Sequence, residues 1–255
     1  MPKHFKSWWD FMSFSHAVTY KSRFVHDKVI EAFLDTLYQS SKTRHRRISK
    51  DKCVWRAQLG ATTVDMEQDG VEYTDPAPYP AKRMKPLAHA AQEGRVNPKG
   101  IPCLYVANDK ETAMSEVRPA VGSEVSLAQL MLNREVTLVD FSAGHDDEST
   151  PFFFEEPPPK KREKAIWTQL ERAFSKPVAT DHATAEYVPT QVIAEFFKKK
   201  GFDGVVYKSR LGPGYNIALF DLGVADVMNG QLYTVKSVDF AFASADRGYN
   251  VNKSS

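Results

Sequence analysis

GRVNPKGIPCLYVANDKETAMSEVR, residues 94–118, sets an arginine, a tyrosine and a glutamate within one short loop–strand–helix unit. Leu104, Tyr105 and Val106 predict a short strand. Asn108 stands where a helix cap is needed, and Glu111 completes a capping-box pattern with it. Pro119 stops the helix soon after Glu116. The unit offers three chemistries together. Arg95 can hold an anion, Tyr105 can stack on a flat ring, and Glu116 can steady a positive charge. That combination suits a site that splits a dinucleotide at its glycosidic bond.

Upstream, Cys53, Val54, Trp55 and Arg56 read as the opening strand of the main domain. Residues 65–90 read as a long irregular loop, because Pro76, Pro78, Pro80 and Pro86 break any regular element. Downstream, VTLVDFS from Val136 is a strand, and residues 144–163 are loop-like, with an acidic patch, three phenylalanines and PPPKKRE. Ile166, Leu170 and Phe174 line one face of a helix over Lys164 to Phe174. A second helix follows Pro189, with Val192, Ile193, Phe196 and Phe197 apolar and Gly201 as its stop. GVVYKS and NIALFD are strands joined by LGPG, and the polar residues from about Asp246 read as a disordered tail. Strands interspersed with helices give an α+β or α/β domain.

The unit resembles the RES domain, a bacterial toxin-like family named for its arginine, glutamate and serine. The resemblance rests on Gly94, Arg95, Asn97, Leu104, Tyr105, Ala113 and Glu116, on QVIAEFFKKKGFDGVVYKSRLGPGYNIALF with Ser209 at the serine position, and on Arg56 in CVWRAQLG. It covers roughly residues 51 to 225, leaving residues 1–50 as a helical N-terminal extension and 226–255 as a C-terminal strand and tail. The resemblance implies a fold similar to ADP-ribosyltransferases and an enzyme that degrades NAD⁺, with inorganic phosphate or water as acceptor and NAD⁺ depletion as the toxic outcome. It also implies a cognate antitoxin protein that covers the active site. The extension is longer than the minimal toxin domain requires.

In that extension, Ile30, Phe33, Leu34, Leu37 and Tyr38 recur at helical spacing within residues 23–38. The aromatic cluster before it, Phe5, Trp8, Trp9, Phe11 and Phe14, is too apolar to stay exposed. It either folds back on the main domain or meets a partner, including a second copy of the chain. The basic run Lys42 to Arg47 reads as a solvated linker, with nucleic-acid contact as the minority reading.

At 255 residues the chain can bury a sizeable core, and a net charge of +2 gives no global steering toward nucleic acid or membrane. Cys53 and Cys103 make no disulfide framework; their apolar surroundings predict buried thiols in a reducing cytoplasm. There is no basic-then-apolar leader and no run of about 18 apolar residues, so the expectation is a soluble, cytoplasmic protein. The histidines, including His145 and His182, show no metal-ligand spacing, and neither LGPGYN nor GRVNPKG matches a phosphate-binding glycine motif. No cofactor or metal is expected beyond NAD⁺ as substrate.

Nicotinamide leaves NAD⁺ as a neutral ring while C1 of its ribose becomes oxocarbenium-like, so no second carboxylic acid is needed. Glu116 is the candidate anion beside that cation. Arg56 and Arg95 are candidates for the phosphates, which a planar guanidinium suits better than lysine, and Lys99 lies nearby. Tyr105 stacks on nicotinamide or bonds its ribose; in an apolar strand it also reads as a core tyrosine. Ser209 can donate a hydrogen bond to substrate, with no nucleophile elbow around it. Asn216 and Asn97 are weaker candidates that read equally as satisfying local backbone. Two alternatives stay open: an ADP-ribosyltransferase that modifies a protein, and a non-enzymatic module that binds nucleic acid or a partner.

Overall fold

The computed structural model describes residues 4–87, 89–142, 152–177 and 183–242. Its centre is an eight-stranded sheet: β1 (His45–Ile48), β2 (Cys53–Leu59), β5 (Leu104–Ala107), β6 (Glu124–Leu132), β7 (Val136–Asp140), β8 (Gly204–Lys208), β9 (Tyr215–Leu219) and β10 (Ala225–Thr234). The order is β1-β7-β8-β9-β5-β2-β6-β10. Only β7 and β8 run parallel; the other neighbours are antiparallel. Two further strands, β3 (Thr62–Gln68) and β4 (Val71–Ala77), form a separate hairpin. The helices are α1 (Asp10–Tyr20), α2 (Lys28–Ser40), α3 (Lys110–Glu116), α4 (Pro159–Ser175) and α5 (Ala183–Lys199). This is an α+β architecture.

The sheet is buried on both faces, which explains the near-continuous apolar runs of its middle strands. On one face Val139, Val205 and Ala218 meet Ile166, Leu170 and Phe174 of α4 and Ile193 and Phe197 of α5. On the other, Leu138 and Val206 share a core with Leu130 of β6 and Ala225 of β10. Val54, Val106 and Ile217 of the intervening strands continue that second core across the sheet.

The extension belongs to the first core. Phe5, Phe11, Phe14, Ile30, Phe33, Leu34 and Leu37 are all buried in it. The aromatic cluster therefore folds back on its own chain, although Trp9 stays 42% exposed. It also forms a helix, α1, which sequence spacing did not reveal. The helix expected over 23–38 starts at Lys28, because the Asp27 carboxylate accepts from the Val29 and Ile30 amides at 2.9 Å and caps it there.

Several expectations are corrected. The basic run is not a linker: its second half is edge strand β1, paired with β7. Arg44 lies over the Trp167 ring at 4.3 Å, and Arg46 pairs with Asp140 at 2.6 Å while covering Tyr215. Residues 62–77 are a regular hairpin. Asp69 and Gly70 both have positive φ, 53° and 78°, the two-residue turn that an Asp-Gly pair favours. Pro76 is tolerated because a two-stranded ribbon leaves every strand one free edge. Pro189 lies inside α5 and does not precede it, and α4 begins earlier than expected, with Pro159 in its first turn. Cys53 is exposed, at the end of β2, whereas Cys103 is buried. Residues 152–158 are irregular, and Glu156 there accepts from Ser7 Oγ at 2.8 Å and from the Trp8 amide at 3.0 Å. The rest of the expected acidic loop, His145, His182 and the expected C-terminal tail lie outside the described residues. No helix among the described residues is long and apolar enough to cross a membrane.

Candidate active site

β2 and β5 pair at a single position, Trp55 opposite Ala107. Elsewhere the ladder between them is open. The opening forms a cleft of about 270 Å³, bordered by Trp55, Arg56, Tyr105, Glu116, Tyr207 and Asn216. The Arg56 guanidinium reaches across the gap, and its Nη1 donates to the Tyr105 carbonyl at 2.8 Å, replacing a missing ladder bond. Its Nε is buried with no hydrogen-bond partner. Burial lowers the pKa of Arg56, but arginine keeps its charge in proteins. The cleft is therefore bordered by a cation whose Nε is unpaired.

Glu116 ends α3, and three contacts fix where that helix points. Asp109, not Asn108, is the N-cap: its carboxylate accepts from the Thr112 amide at 2.8 Å and from the Thr112 hydroxyl at 2.8 Å. Asn108 instead accepts from the Tyr215 amide at 2.7 Å, and Thr112 Oγ1 accepts from the Gly214 amide at 2.8 Å. The start of α3 is thereby bolted to the start of β9. Its end then meets Ser209 and Asn216: Glu116 Oε1 accepts from Ser209 Oγ at 2.6 Å and from Asn216 Nδ2 at 2.7 Å. Ser209 Oγ in turn accepts from the Leu211 and Gly212 amides, at 3.1 and 2.9 Å. The single proton of the Ser209 hydroxyl is thus committed to Glu116, which it orients.

Tyr105 presents its ring to the cleft while its hydroxyl organises the 94–101 loop. That hydroxyl donates to Asn97 Oδ1 at 2.7 Å and accepts from the Val96 amide at 2.9 Å. Burial holds its pKa well above the ordinary phenol value. A Cβ on Gly94 would come within 2.5 Å of the Tyr105 oxygen, so glycine is required where the loop crosses the ring. Asn97 serves local backbone as anticipated: its Nδ2 donates to the carbonyls of Gln92, Pro98 and Ile101. Arg95 does not border the cleft. Its Nη1 and Nη2 donate to the carbonyls of Ala173 and Lys176 at the C-terminal end of α4, at 2.9 and 2.6 Å.

The fold thus gathers Glu116, Ser209, Asn216, Arg56 and Tyr105 and sets Arg95 behind them. It also adds Trp55 and Tyr207, which sequence reading took as strand apolars. Lys110 Nζ lies 4.8 Å from the Trp55 ring. Tyr207 was within reach of period-two reasoning, since it sits two residues before Ser209 on the same strand face. No group of three or more His, Cys, Asp or Glu able to hold a metal occurs among the described residues.

The model of the RES domain family matches residues 72–242, well over half of the chain. This chain belongs to the RES domain family. Its RES match begins within the hairpin and ends beyond β10. No curated protein matches the chain. Among solved structures, a chain from the crystal structure of the M. tuberculosis MbcT–MbcA toxin–antitoxin complex aligns with this RES protein at 14% identity. The alignment covers 78% of this chain and 92% of that one, with a TM-score of 0.42. That likeness is too distant to argue from.

Proposed function

We propose that this protein degrades NAD⁺ by breaking the bond between nicotinamide and its ribose, with inorganic phosphate or water as acceptor. Family membership supports a toxin-like, NAD⁺-degrading role in general. The observation that carries the finer reading is the Glu116 carboxylate. One oxygen is fixed by Ser209 and Asn216, and the other has no partner among the described residues. It borders a cleft whose cation, Arg56, also has an unpaired Nε.

The chemistry follows from that pairing. Nicotinamide departs with the bonding electrons and becomes neutral, while positive charge gathers at C1 of the ribose. A pre-oriented carboxylate stabilises that charge without reorganising. The acceptor oxygen then adds to C1 and loses its proton to solvent. At about 270 Å³ the cleft lies below the ~300–1,000 Å³ of most small-molecule sites. It therefore takes the nicotinamide-ribose end, and the adenylate end lies along the rim. Arg56 holds the pyrophosphate or the acceptor phosphate. A cognate antitoxin covering this cleft is the partner implied by the family.

Incubation of purified protein with NAD⁺, with and without phosphate, tests the proposal. Release of nicotinamide is expected. ADP-ribose 1″-phosphate as co-product identifies phosphate as acceptor, ADP-ribose identifies water, and label retained on polypeptide identifies a protein. Glu116→Gln is expected to lower the rate ~100-fold or more, as loss of comparable electrostatic stabilisers does, with an unchanged circular dichroism spectrum. Absence of nicotinamide release under every condition refutes the reading.

A further inference from the structure

Tyr207 is 6% exposed and borders the cleft, yet its hydroxyl has no hydrogen-bond partner among the described residues. That hydroxyl is not one of the fully enclosed unpartnered atoms, so it keeps accessible surface for a ligand. In the β8–β9 ladder Tyr207 stands directly opposite Asn216. Side chains of directly opposed residues share one face of a sheet, and Asn216 is the residue that holds Glu116. Ser209, the other residue that holds Glu116, lies two positions further along and so on that same face. The ring is fixed: Phe174 packs 6.1 Å from its centroid, and the Arg95 guanidinium lies 6.0 Å away. The phenol also senses the carboxylate. Burial raises its pKa, Arg95 opposes the rise, and Glu116 adds to it. The hydroxyl is therefore a neutral donor on the cleft that Glu116 also borders.

We propose that Tyr207 is a substrate-binding residue, and that its hydroxyl donates to a hydroxyl of the ribose bearing the scissile bond. The same ribose hydroxyl donates to Glu116 Oε2. One substrate oxygen then completes both groups that the protein leaves open: it accepts from Tyr207 and donates to Glu116. The assignment rests on the NAD⁺ reading above and adds the ligand group it recognises, a vicinal-diol pentose. An apolar or deoxy sugar at this position would leave the phenol and the carboxylate oxygen desolvated and unpaired.

Tyr207→Phe removes the hydroxyl and keeps the packed ring, so the melting temperature is expected to hold. Calorimetric titration with ADP-ribose, which carries the same ribose, needs no turnover. Its affinity is expected to fall about 3- to 10-fold in Tyr207→Phe, the loss of one neutral hydrogen bond. NAD⁺ cleavage is expected to lose a similar factor in kcat/KM. With NAD⁺ analogues lacking one or the other hydroxyl of the nicotinamide ribose, wild type and Tyr207→Phe are expected to become equal for one of them. Equal ADP-ribose affinity in the two proteins overturns the assignment while leaving the cleavage reading intact. So does a difference that persists for both deoxy analogues. ADP-ribose binding that is sensitive to Tyr207 without any NAD⁺ cleavage sinks the cleavage reading and keeps the assignment. No ADP-ribose binding to wild type overturns the assignment, while the cleavage reading stands or falls on nicotinamide release.

Discussion

Arg56 and Arg95 carry the same charge into different work. Arg56 borders the cleft with an unpaired Nε, whereas Arg95 ties down the last carbonyls of α4. Arg56→Lys keeps a charge but loses the bridge to the Tyr105 carbonyl and the unpaired Nε. Its NAD⁺ kcat/KM is expected to fall at least ~10-fold by steady-state kinetics, the size of a lost charged hydrogen bond. Arg95→Lys is expected to act first on stability, costing ~1.5–3 kcal/mol in denaturant titration, with a smaller kinetic effect. The reverse ranking would move the phosphate contact to Arg95. The two thiols also separate: exposed Cys53 is expected to react with a thiol reagent in the native protein, and buried Cys103 only after unfolding. Burial pushes Cys103 up to about 12 from an ordinary 9.0. Its folded pKa is raised, so its contribution to stability is intact below about 9 and is lost as pH rises toward about 12. Thermal melts between those pH values check the sign.

Among the elements, the β3–β4 hairpin stands apart from the main sheet, with Val64, Met66, Val71 and Tyr73 at least 41% exposed. Its turn depends on Gly70 at φ 78°. Gly70→Val places a β-branched residue in a left-handed conformation, at a cost of ~1–2 kcal/mol. Limited proteolysis is expected to cut the hairpin faster in that variant, with ligand affinity at the cleft unchanged; a lost affinity would tie the hairpin to the site. The same hairpin marks where sequence reading ran out. Four prolines outweighed the Asp-Gly pair that sets its register. β6 was missed although Gly122 and Ser123 bound it, because Leu127 to Leu132 shows no clean alternation of apolar and polar residues, and only pairing with β2 and β10 makes it a strand. The strand–helix unit ending in Glu116 was legible because its apolar run and proline stop agree, although the cap is Asp109, one residue after the Asn108 expected. Ser209 came from resemblance, and Asn216 was a weaker candidate that also read as satisfying local backbone. Their hold on Glu116 came only from the antiparallel return of β9 beside β5. Tyr207 and Trp55 look like core in an apolar strand, and only the open ladder between β2 and β5 turns them into cleft walls.

Over the whole molecule, the extension and the helices α4 and α5 make one apolar body. Burial of Phe5, Phe11, Phe14, Ile30, Phe33, Leu34 and Leu37 contributes ~1.5–3 kcal/mol for each side chain. Together these rival the ~5–15 kcal/mol by which a typical domain is stable. A chain starting at Arg44 is therefore expected to be aggregated or molten, as read by light scattering and near-ultraviolet circular dichroism. A soluble, cooperatively melting truncation would show the extension to be dispensable. The extension also reaches the site loop: Arg23 donates to Gln191, whose Nε2 donates to the Gly94 and Asn97 carbonyls at 2.8 and 3.1 Å.

Glu116 is made long before the residues that aim it. Ser209 and Asn216 follow it by 93 and 100 positions. At ~5–20 residues per second of synthesis, the carboxylate waits on the order of 5–20 s for them. During that interval the nascent chain has no assembled cleft. The carboxylate is aimed only once β9 has been made, so the activity proposed for this cleft cannot begin on a nascent chain that lacks Asn216.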